Sequence, residues 1–153
     1  MKRLQRRGFL AGLAGVIALP ATWSAGVYAQ QLRPLEPFLL ALTKGVPVRK
    51  GRVSLELPQL ADNGNAVLLK VSVESPMSAT DHVKSIHLIS NRNPVAEMAS
   101  FYLGPRTGRA QIVTRVRLAG SQTVTAVAAL SDGTFWMDSA PIVVTLSSCM
   151  DES

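Results

Sequence analysis

The alternation of apolar and polar residues from Arg52 onward is the feature that most constrains the fold of this chain. Val53, Leu55 and Leu57 are separated by single polar residues. Side chains two residues apart lie on the same face of a β-strand, so this period is typical of a half-buried strand. The same pattern predicts strands at 53–57, 67–73, 83–90, 97–103, 109–118, 122–130, 135–137 and 141–146.

Turn residues separate these predicted strands. Asp62-Asn63-Gly64-Asn65, Gly104-Pro105 and Asp132-Gly133 stand between alternating runs, and Asn-Gly is a strong local turn signal. Many short strands with turns between them are typical of a β-sandwich. The sequence therefore predicts an all-β, immunoglobulin-like β-sandwich, in one domain because 153 residues suffice for a single core.

A short helix is predicted ahead of the strands, at 34–44. Phe38, Leu39 and Leu42 share one helical face, proline suits the first turn, and Gly45 ends the segment. We expect this helix to lie across an edge or a face of the sandwich.

The N-terminus has the pattern of an export signal. Arg6-Arg7 precede a short apolar run at 9–19, and Val27-Tyr28-Ala29 offers small residues where a leader peptidase cleaves. We predict a twin-arginine signal peptide at 1–29, a mature domain at 30–153 and a periplasmic location. An uncleaved membrane anchor is the alternative, but the apolar run is shorter than the ~20 residues that a spanning helix needs.

The charge beyond this leader excludes one class of function. The 12 basic and 10 acidic residues that remain leave a net charge of +2. Nucleic-acid binding needs a strong basic surface, so we expect no nucleic-acid partner.

The single cysteine, Cys149, is the strongest candidate for chemistry. It follows the last predicted strand by a few residues, and one cysteine cannot form an intramolecular disulfide in an oxidising compartment. An odd cysteine in an exported protein indicates intermolecular chemistry or a reactive thiol. The alternative is an incidental cysteine packed against the domain.

Two other groups of residues are weaker candidates. His82 and His87 are five residues apart and face opposite ways on a strand, so they cannot both bind one metal ion locally. Met77 is near in sequence, but a copper site of Met and His would need more ligands than the chain displays. Structural or surface roles are therefore favoured over a metal site. We expect no metal and no cofactor. No Ser-His-Asp order, carboxylate pair or glycine-rich phosphate loop is present, and turn chemistry explains Ser131-Asp132-Gly133.

Three arginines are predicted on one exposed face of the long strand at 109–118. Arg109, Arg115 and Arg117 alternate with residues of the buried face. Charge on such a face either protects a strand edge from aggregation or forms a docking surface for an acidic partner or an anion.

Several motifs resemble the SoxY family, the sulfur-carrier subunit of the periplasmic sulfur-oxidation system. They include LPQLADNGNAV at 57–67, HVKSIH at 82–87 and GPRTGRA at 104–110, with further matches at 75–77, 93–94, 114–118, 121–124, 131–133 and 143–146. In order, they cover nearly the whole predicted mature chain.

This resemblance implies an immunoglobulin-like subunit that pairs with a similar SoxZ subunit and is acted on by periplasmic sulfur-oxidation enzymes. It also implies that Cys149, at the position of the family's carrier cysteine, holds sulfur species covalently, and that the chain is not itself an enzyme. The family ending is Gly-Gly-Cys-Gly-Gly, whereas here Ser147 and Ser148 precede the cysteine and Met150-Asp151-Glu152-Ser153 follow it. The alternatives are a scaffold that kept the partner interface without carrier chemistry, or a binding module of another periplasmic system.

Overall fold

The computed structural model describes residues 32–146, and the signal-peptide prediction and Cys149 lie outside them. One helix, α1 (Glu36–Thr43), precedes nine strands. The strands are β1 (Val48–Lys50), β2 (Val53–Glu56), β3 (Leu60–Asn63), β4 (Val67–Val73), β5 (Val83–Ser90), β6 (Glu97–Tyr102), β7 (Gln111–Val116), β8 (Gln122–Leu130) and β9 (Phe135–Leu146). A short 3₁₀ turn, Pro105–Thr107, lies between β6 and β7.

The strands form two sheets. The larger has the order β1-β9-β8-β5-β6, with β3 also paired to β9, and the smaller has the order β2-β4-β7. The buried side chains of both sheets form one core, which includes Leu69, Val71, Ile86, Leu88 and Val124. The chain is an immunoglobulin-like β-sandwich, as the alternating pattern predicted.

The helix begins and ends close to its predicted limits. Lys44 adopts a left-handed conformation with φ 53°, and the Gly45 N–H donates to the Leu40 carbonyl, which ends α1. Before the helix, the backbone N–H of Arg33 donates to the Asn91 carbonyl at 2.6 Å. α1 lies against the larger sheet, because Leu39, Thr43 and Met137 of β9 line the same crevice.

The central strands β5 and β8 differ from the simple alternation that the sequence indicated. All but one residue of β5 is buried, and β8 is nearly as buried. Ile89 and Val127 are fully buried yet lie outside the cluster between the sheets, so the outer face of the larger sheet is covered too. In a strand that is buried on both faces, the alternate positions are no longer exposed and polar, so the sequence does not alternate clearly.

Two short strands were not predicted, and two predicted runs are one strand. β1 and β3 both pair in parallel with β9, at Phe135–Met137 and at Val143–Leu146 respectively. Pro141 lies inside β9, between these two paired segments. The nitrogens of Pro141 and Val143 are two residues apart, so they point to the same side of β9. The Val143 N–H donates to the Gln59 carbonyl on that side. Pro141 has no N–H to donate, and it lies between the segments of β9 that pair with β1 and with β3, where no strand requires that hydrogen bond.

The two sheets are also joined by a carboxylate. Oδ2 of Asp138 in β9 accepts a hydrogen bond from the backbone N–H of Leu55 in β2 at 2.9 Å. β2 is an edge strand of the smaller sheet, so this bond ties its free side to the larger sheet. No helix in residues 32–146 has the length and hydropathy to cross a membrane.

Candidate functional site

The predicted carrier residue, Cys149, lies three residues beyond the last described position, Leu146. We call residues 147–149 the cysteine segment, and the structure fixes the position of Leu146, from which this segment continues. The N–H of Gly64 donates to the Leu146 carbonyl at 2.9 Å, and the N–H of Leu118 donates to the Gly64 carbonyl at 2.8 Å. The end of β9 thus lies at a corner where the larger sheet meets the smaller one.

Hydrogen bonds hold this end of β9 on both flanks. On one side, the Thr145 Oγ1 hydroxyl donates to the Asp62 carbonyl at 2.8 Å. On the other, the N–H of Val144 donates to Ser121 Oγ at 2.9 Å. The cysteine segment therefore starts from a fixed point of the sandwich.

The three arginines predicted on one face are all exposed, and they do not converge on one point. Arg115 lies on β7 opposite Leu68 of β4, and Arg117 follows the end of β7, where its carbonyl accepts a hydrogen bond from Asn93 Nδ2 at 2.8 Å. Arg109 precedes the other end of β7. β7 pairs only with β4 among the described strands, so the arginines lie along a sheet edge.

A groove of about 380 Å³ opens between β7 and the edge strand of the other sheet, β6. Arg115 and Arg117 line one side. Pro94, Val95 and Met98 supply apolar surface on the other side. Arg109 is outside this groove, so two of the three predicted arginines share a site and the third does not.

His87 is the centre of a partly buried polar network that the sequence did not reveal. Its Nδ1 lies 2.7 Å from Glu97 Oε1 and 3.0 Å from Ser100 Oγ, and its Nε2 lies 2.9 Å from Ser85 Oγ. The Tyr102 ring packs edge-on against the imidazole, with centroids 6.3 Å apart. Ser85 and His87 share a face of β5, whereas Glu97 and Ser100 belong to β6. Only the register between these two strands brings the network together.

The protonation of this network follows from its acid. Hydrogen bonds from Ser100 and His87 hold the pKa of Glu97 below its usual value of 4.5, so the carboxylate is ionised at neutral pH. A carboxylate only accepts hydrogen bonds, so Nδ1 of His87 carries the proton. The Ser–His–Glu order matches that of a hydrolase triad, but Ser85 and His87 are less than a tenth exposed, which denies a substrate access to the hydroxyl. The network satisfies buried polar groups.

Glu97→Gln is expected to reduce the dependence of the free energy of unfolding on pH at acidic pH. Because the folded-state pKa is lowered, Glu97 stabilises the fold above about pH 4.5 and loses that contribution as the pH falls through its folded-state pKa. Urea unfolding between pH 3 and pH 7 measures the effect, with the exposed Glu74→Gln as the control. A parental pH dependence in the Glu97 variant would contradict this assignment.

The other residues considered for metal binding are separated. His82 Nδ1 lies 3.1 Å from the Ser78 carbonyl, away from the His87 network, and Met77 is buried with its sulfur accepting the Val83 N–H at 3.5 Å. Within residues 32–146, no group of three or more His, Cys, Asp or Glu side chains is placed to hold a metal ion.

A family model described as sulfur oxidation protein SoxY matches residues 40–149. That is well over half of the chain, and the matched region reaches Cys149. The chain belongs to the SoxY family. Among curated proteins, none matches the sequence.

Solved structures agree with the SoxY fold. The structure of the sulfur carrier protein SoxY from Chlorobium limicola f thiosulfatophilum matches with a TM-score of 0.61 and 21% identity, over 73% of this chain and 96% of that one. A superoxide reductase (neelaredoxin) from Ignicoccus hospitalis matches with a TM-score of 0.55 and 17% identity, over 61% and 80%. A putative superoxide reductase from Thermotoga maritima has a TM-score of 0.53 at 20% identity, over 67% and 89%. These likenesses show the fold alone.

Proposed function

We propose that this SoxY family member is a sulfur carrier that holds intermediates of thiosulfate or sulfur oxidation covalently on Cys149. The observation that carries the proposal is the family match over residues 40–149, which includes this single cysteine. The description of the Chlorobium relative as a sulfur carrier protein supports it. In this role the chain is not an enzyme, because partner enzymes perform the chemistry on the adduct that it presents.

The carrier cycle uses only the thiol of this chain. Joining the Cys149 thiolate to a substrate sulfur forms an S–S bond and releases two electrons, which the joining enzyme must accept. Hydrolysis of a thiosulfate adduct, Cys–S–S–SO3⁻, then releases sulfate and leaves a persulfide on Cys149. A partner enzyme that accepts the electrons must oxidise the outer sulfur of this persulfide to a sulfonate, and a second hydrolysis releases that sulfur as sulfate and returns the cysteine. A free thiol has a pKa near ~8.5, so only a few per cent is thiolate at neutral pH, and the joining enzyme must favour that form.

The carrier is proposed to work in the periplasm after export by the twin-arginine route. Arg6-Arg7 and the Val27-Tyr28-Ala29 boundary motivate this location. We expect protein purified from the periplasm of its native host, grown on thiosulfate, to have the mass of a chain beginning near Gln30. A fraction should carry a sulfur adduct that a reductant removes. An unmodified thiol under these conditions would contradict the carrier function. A full-length mass would contradict cleavage near Gln30, and absence of the protein from the periplasmic fraction would contradict export.

The partner is proposed to be a SoxZ-like immunoglobulin-like subunit. β6 pairs only with β5 among the described strands, and it carries Tyr102, which is 81% exposed. Unpaired strand edges and large exposed aromatics are normally covered in stable assemblies. A heterodimer of standard size would bury on the order of 1,600 Å² in total.

Co-expression with a SoxZ-like chain tests this partner, and we expect one complex on size exclusion at micromolar concentration. Tyr102→Ala should weaken the complex by about tenfold, since interface aromatics commonly contribute more than 1 kcal/mol. Leu40→Ala, at an exposed apolar residue of α1, is the matched control. Separate elution of the two parental chains would overturn the heterodimer.

The competing function is a scaffold that retains the partner surface without carrier chemistry. The replacement of the family's leading glycines by Ser147-Ser148 and of its trailing glycines by Met150-Asp151-Glu152-Ser153 motivates this alternative. It predicts partner binding without any adduct, so the mass measurement and the complex assay together distinguish the two functions.

A further inference from the structure

β7 has a free backbone edge, because it pairs only with β4 among the strands of residues 32–146. The Val73 N–H donates to the Ala110 carbonyl at 2.9 Å, and hydrogen-bonded pairs alternate along an antiparallel ladder. The register between the two strands therefore directs the backbone groups of Ile112 and Thr114 towards β4. The N–H and C=O groups of the residues between them point the other way, towards the free edge.

The residues that bond towards the free edge also have exposed side chains. They are Gln111, Val113 and Arg115, and Val113 is 59% exposed. Arg117 continues the same alternation beyond the end of β7, and its carbonyl already accepts a hydrogen bond from Asn93 Nδ2. The free edge thus presents one apolar side chain and two guanidinium groups at alternate positions.

The charge of these two arginines is available to a ligand. The ion pairs within residues 32–146 are Arg52–Asp81, Lys70–Glu56 and His87–Glu97. Arg115 and Arg117 are in none of them. A ligand that brings carboxylates to this edge therefore displaces no existing ion pair.

The groove between β6 and β7 adds apolar surface beside the edge. Val95, which is 70% exposed, and Met98 line it opposite the arginines. Glu97 also lines the groove, but its Oε1 already accepts hydrogen bonds from His87 and Ser100. One wall of the groove is thus apolar and the other is cationic, with free backbone groups along the cationic wall.

A sheet edge with free backbone groups binds an extended segment as an added strand, and the side chains directly opposite each other set the specificity. We propose that an extended acidic segment of a partner protein pairs antiparallel with β7 and becomes the fourth strand of the smaller sheet. Its residues opposite Arg117 and Arg115 are acidic, and its residue opposite Val113 is apolar. The residue between the two acids is apolar and faces the groove, towards Val95 and Met98.

Edge protection is the competing explanation of the two arginines. Charged side chains on an edge strand discourage pairing with a second copy of the chain. The exposed Val113 and Val95 favour a partner instead, because edge protection requires no exposed apolar side chains beside the charges. The two explanations differ in what the arginines bind.

The anisotropy of a fluorescein-labelled peptide, Gly-Glu-Val-Glu-Thr-Val-Gly, tests the proposal on the purified protein. We expect saturable binding at low salt, because the peptide has the acidic and apolar pattern that the edge recognises. Arg115→Gln/Arg117→Gln should weaken the affinity about fivefold, the size that two exposed ion pairs support, and this difference should shrink at 0.5 M salt. Arg106→Gln/Arg109→Gln makes the same change in net charge at exposed positions outside the groove, and it should leave the affinity unchanged.

Two methylated peptides separate strand pairing from attraction between charges. Methylation of the backbone nitrogens of the second Glu and the second Val removes the donors that face Arg115 and Val113. It should weaken binding at least tenfold, since each lost hydrogen bond contributes about 1 kcal/mol. Methylation of the first Val and the Thr changes nitrogens that point away from β7, so this matched peptide should bind as the parent peptide does.

Absence of saturable binding by the parental protein would overturn the added strand. Equal binding of the two methylated peptides would do the same, because it would leave only a charged surface. Parental peptide affinity in Arg115→Gln/Arg117→Gln, together with self-association of that variant in sedimentation, would show that the arginines only protect the edge. The assay uses no sulfur substrate and no second subunit, so its outcome is independent of the carrier function and of the heterodimer.

Discussion

Cys149→Ser is expected to remove every sulfur adduct from the protein and to abolish the thiosulfate oxidation that depends on it. The chain has no second thiol to replace Cys149, so the loss should be complete rather than partial. Serine cannot form an S–S bond with a substrate sulfur, whereas its size is close to that of cysteine. Intact mass of the periplasmic protein and growth of the native host on thiosulfate measure the two effects.

The same substitution should leave the fold and the partner complex intact. The core between the sheets is built from residues within 53–144, and surface substitutions outside such a core usually change the free energy of unfolding by less than about 0.5 kcal/mol. The parental melting temperature and partner retention are therefore the expected controls, with Ser148→Ala as the matched variant. Parental growth on thiosulfate by the Cys149→Ser strain would show that the scaffold alternative is right.

Gly64→Ala is expected to cost about 2–4 kcal/mol of unfolding free energy, the largest effect on stability among the variants considered. A Cβ at this position would lie 2.3 Å from the Leu118 carbonyl oxygen and 3.2 Å from Val144 Cγ1. The first contact is with backbone, so the strands must separate, and overpacking of this kind costs about 1–3 kcal/mol. The two hydrogen bonds of Gly64, to Leu146 and Leu118, each contribute about 1 kcal/mol more if they are broken.

Urea denaturation measures this effect, and Gly104→Ala is the control. A Cβ at Gly104 meets no atom within 4 Å, and its φ of −142° is one that alanine adopts, so the change should stay within about 0.5 kcal/mol. Equal stability of the two variants would show that the corner formed by Gly64, Leu118 and Leu146 relaxes freely. If it does not relax, Gly64→Ala should also displace the start of the cysteine segment.

The strands, the turns and the sandwich class follow from the sequence alone, because each depends on local patterns. Alternation with a period of two records which face of a strand is buried, and it located β4, β5, β7 and β8 within a few residues. The same alternation put Arg115 and Arg117 on the exposed face. Family motifs spread along the chain identified SoxY, and the position of the lone cysteine required no structure.

Strand neighbours and the sites that they create depend on contacts between distant residues. β1 and β3 are too short to carry a clear period, and they exist because the long strand β9 offers them an edge. The His87 network needs Glu97 and Ser100 from β6 in one register, and the groove needs two edge strands from different sheets. A period in the sequence says which way a side chain faces, whereas register and sheet order decide what it meets there. That is why the sequence predicted the exposure of Arg115 and Arg117, and only the tertiary structure placed them in a groove beside the end of β9.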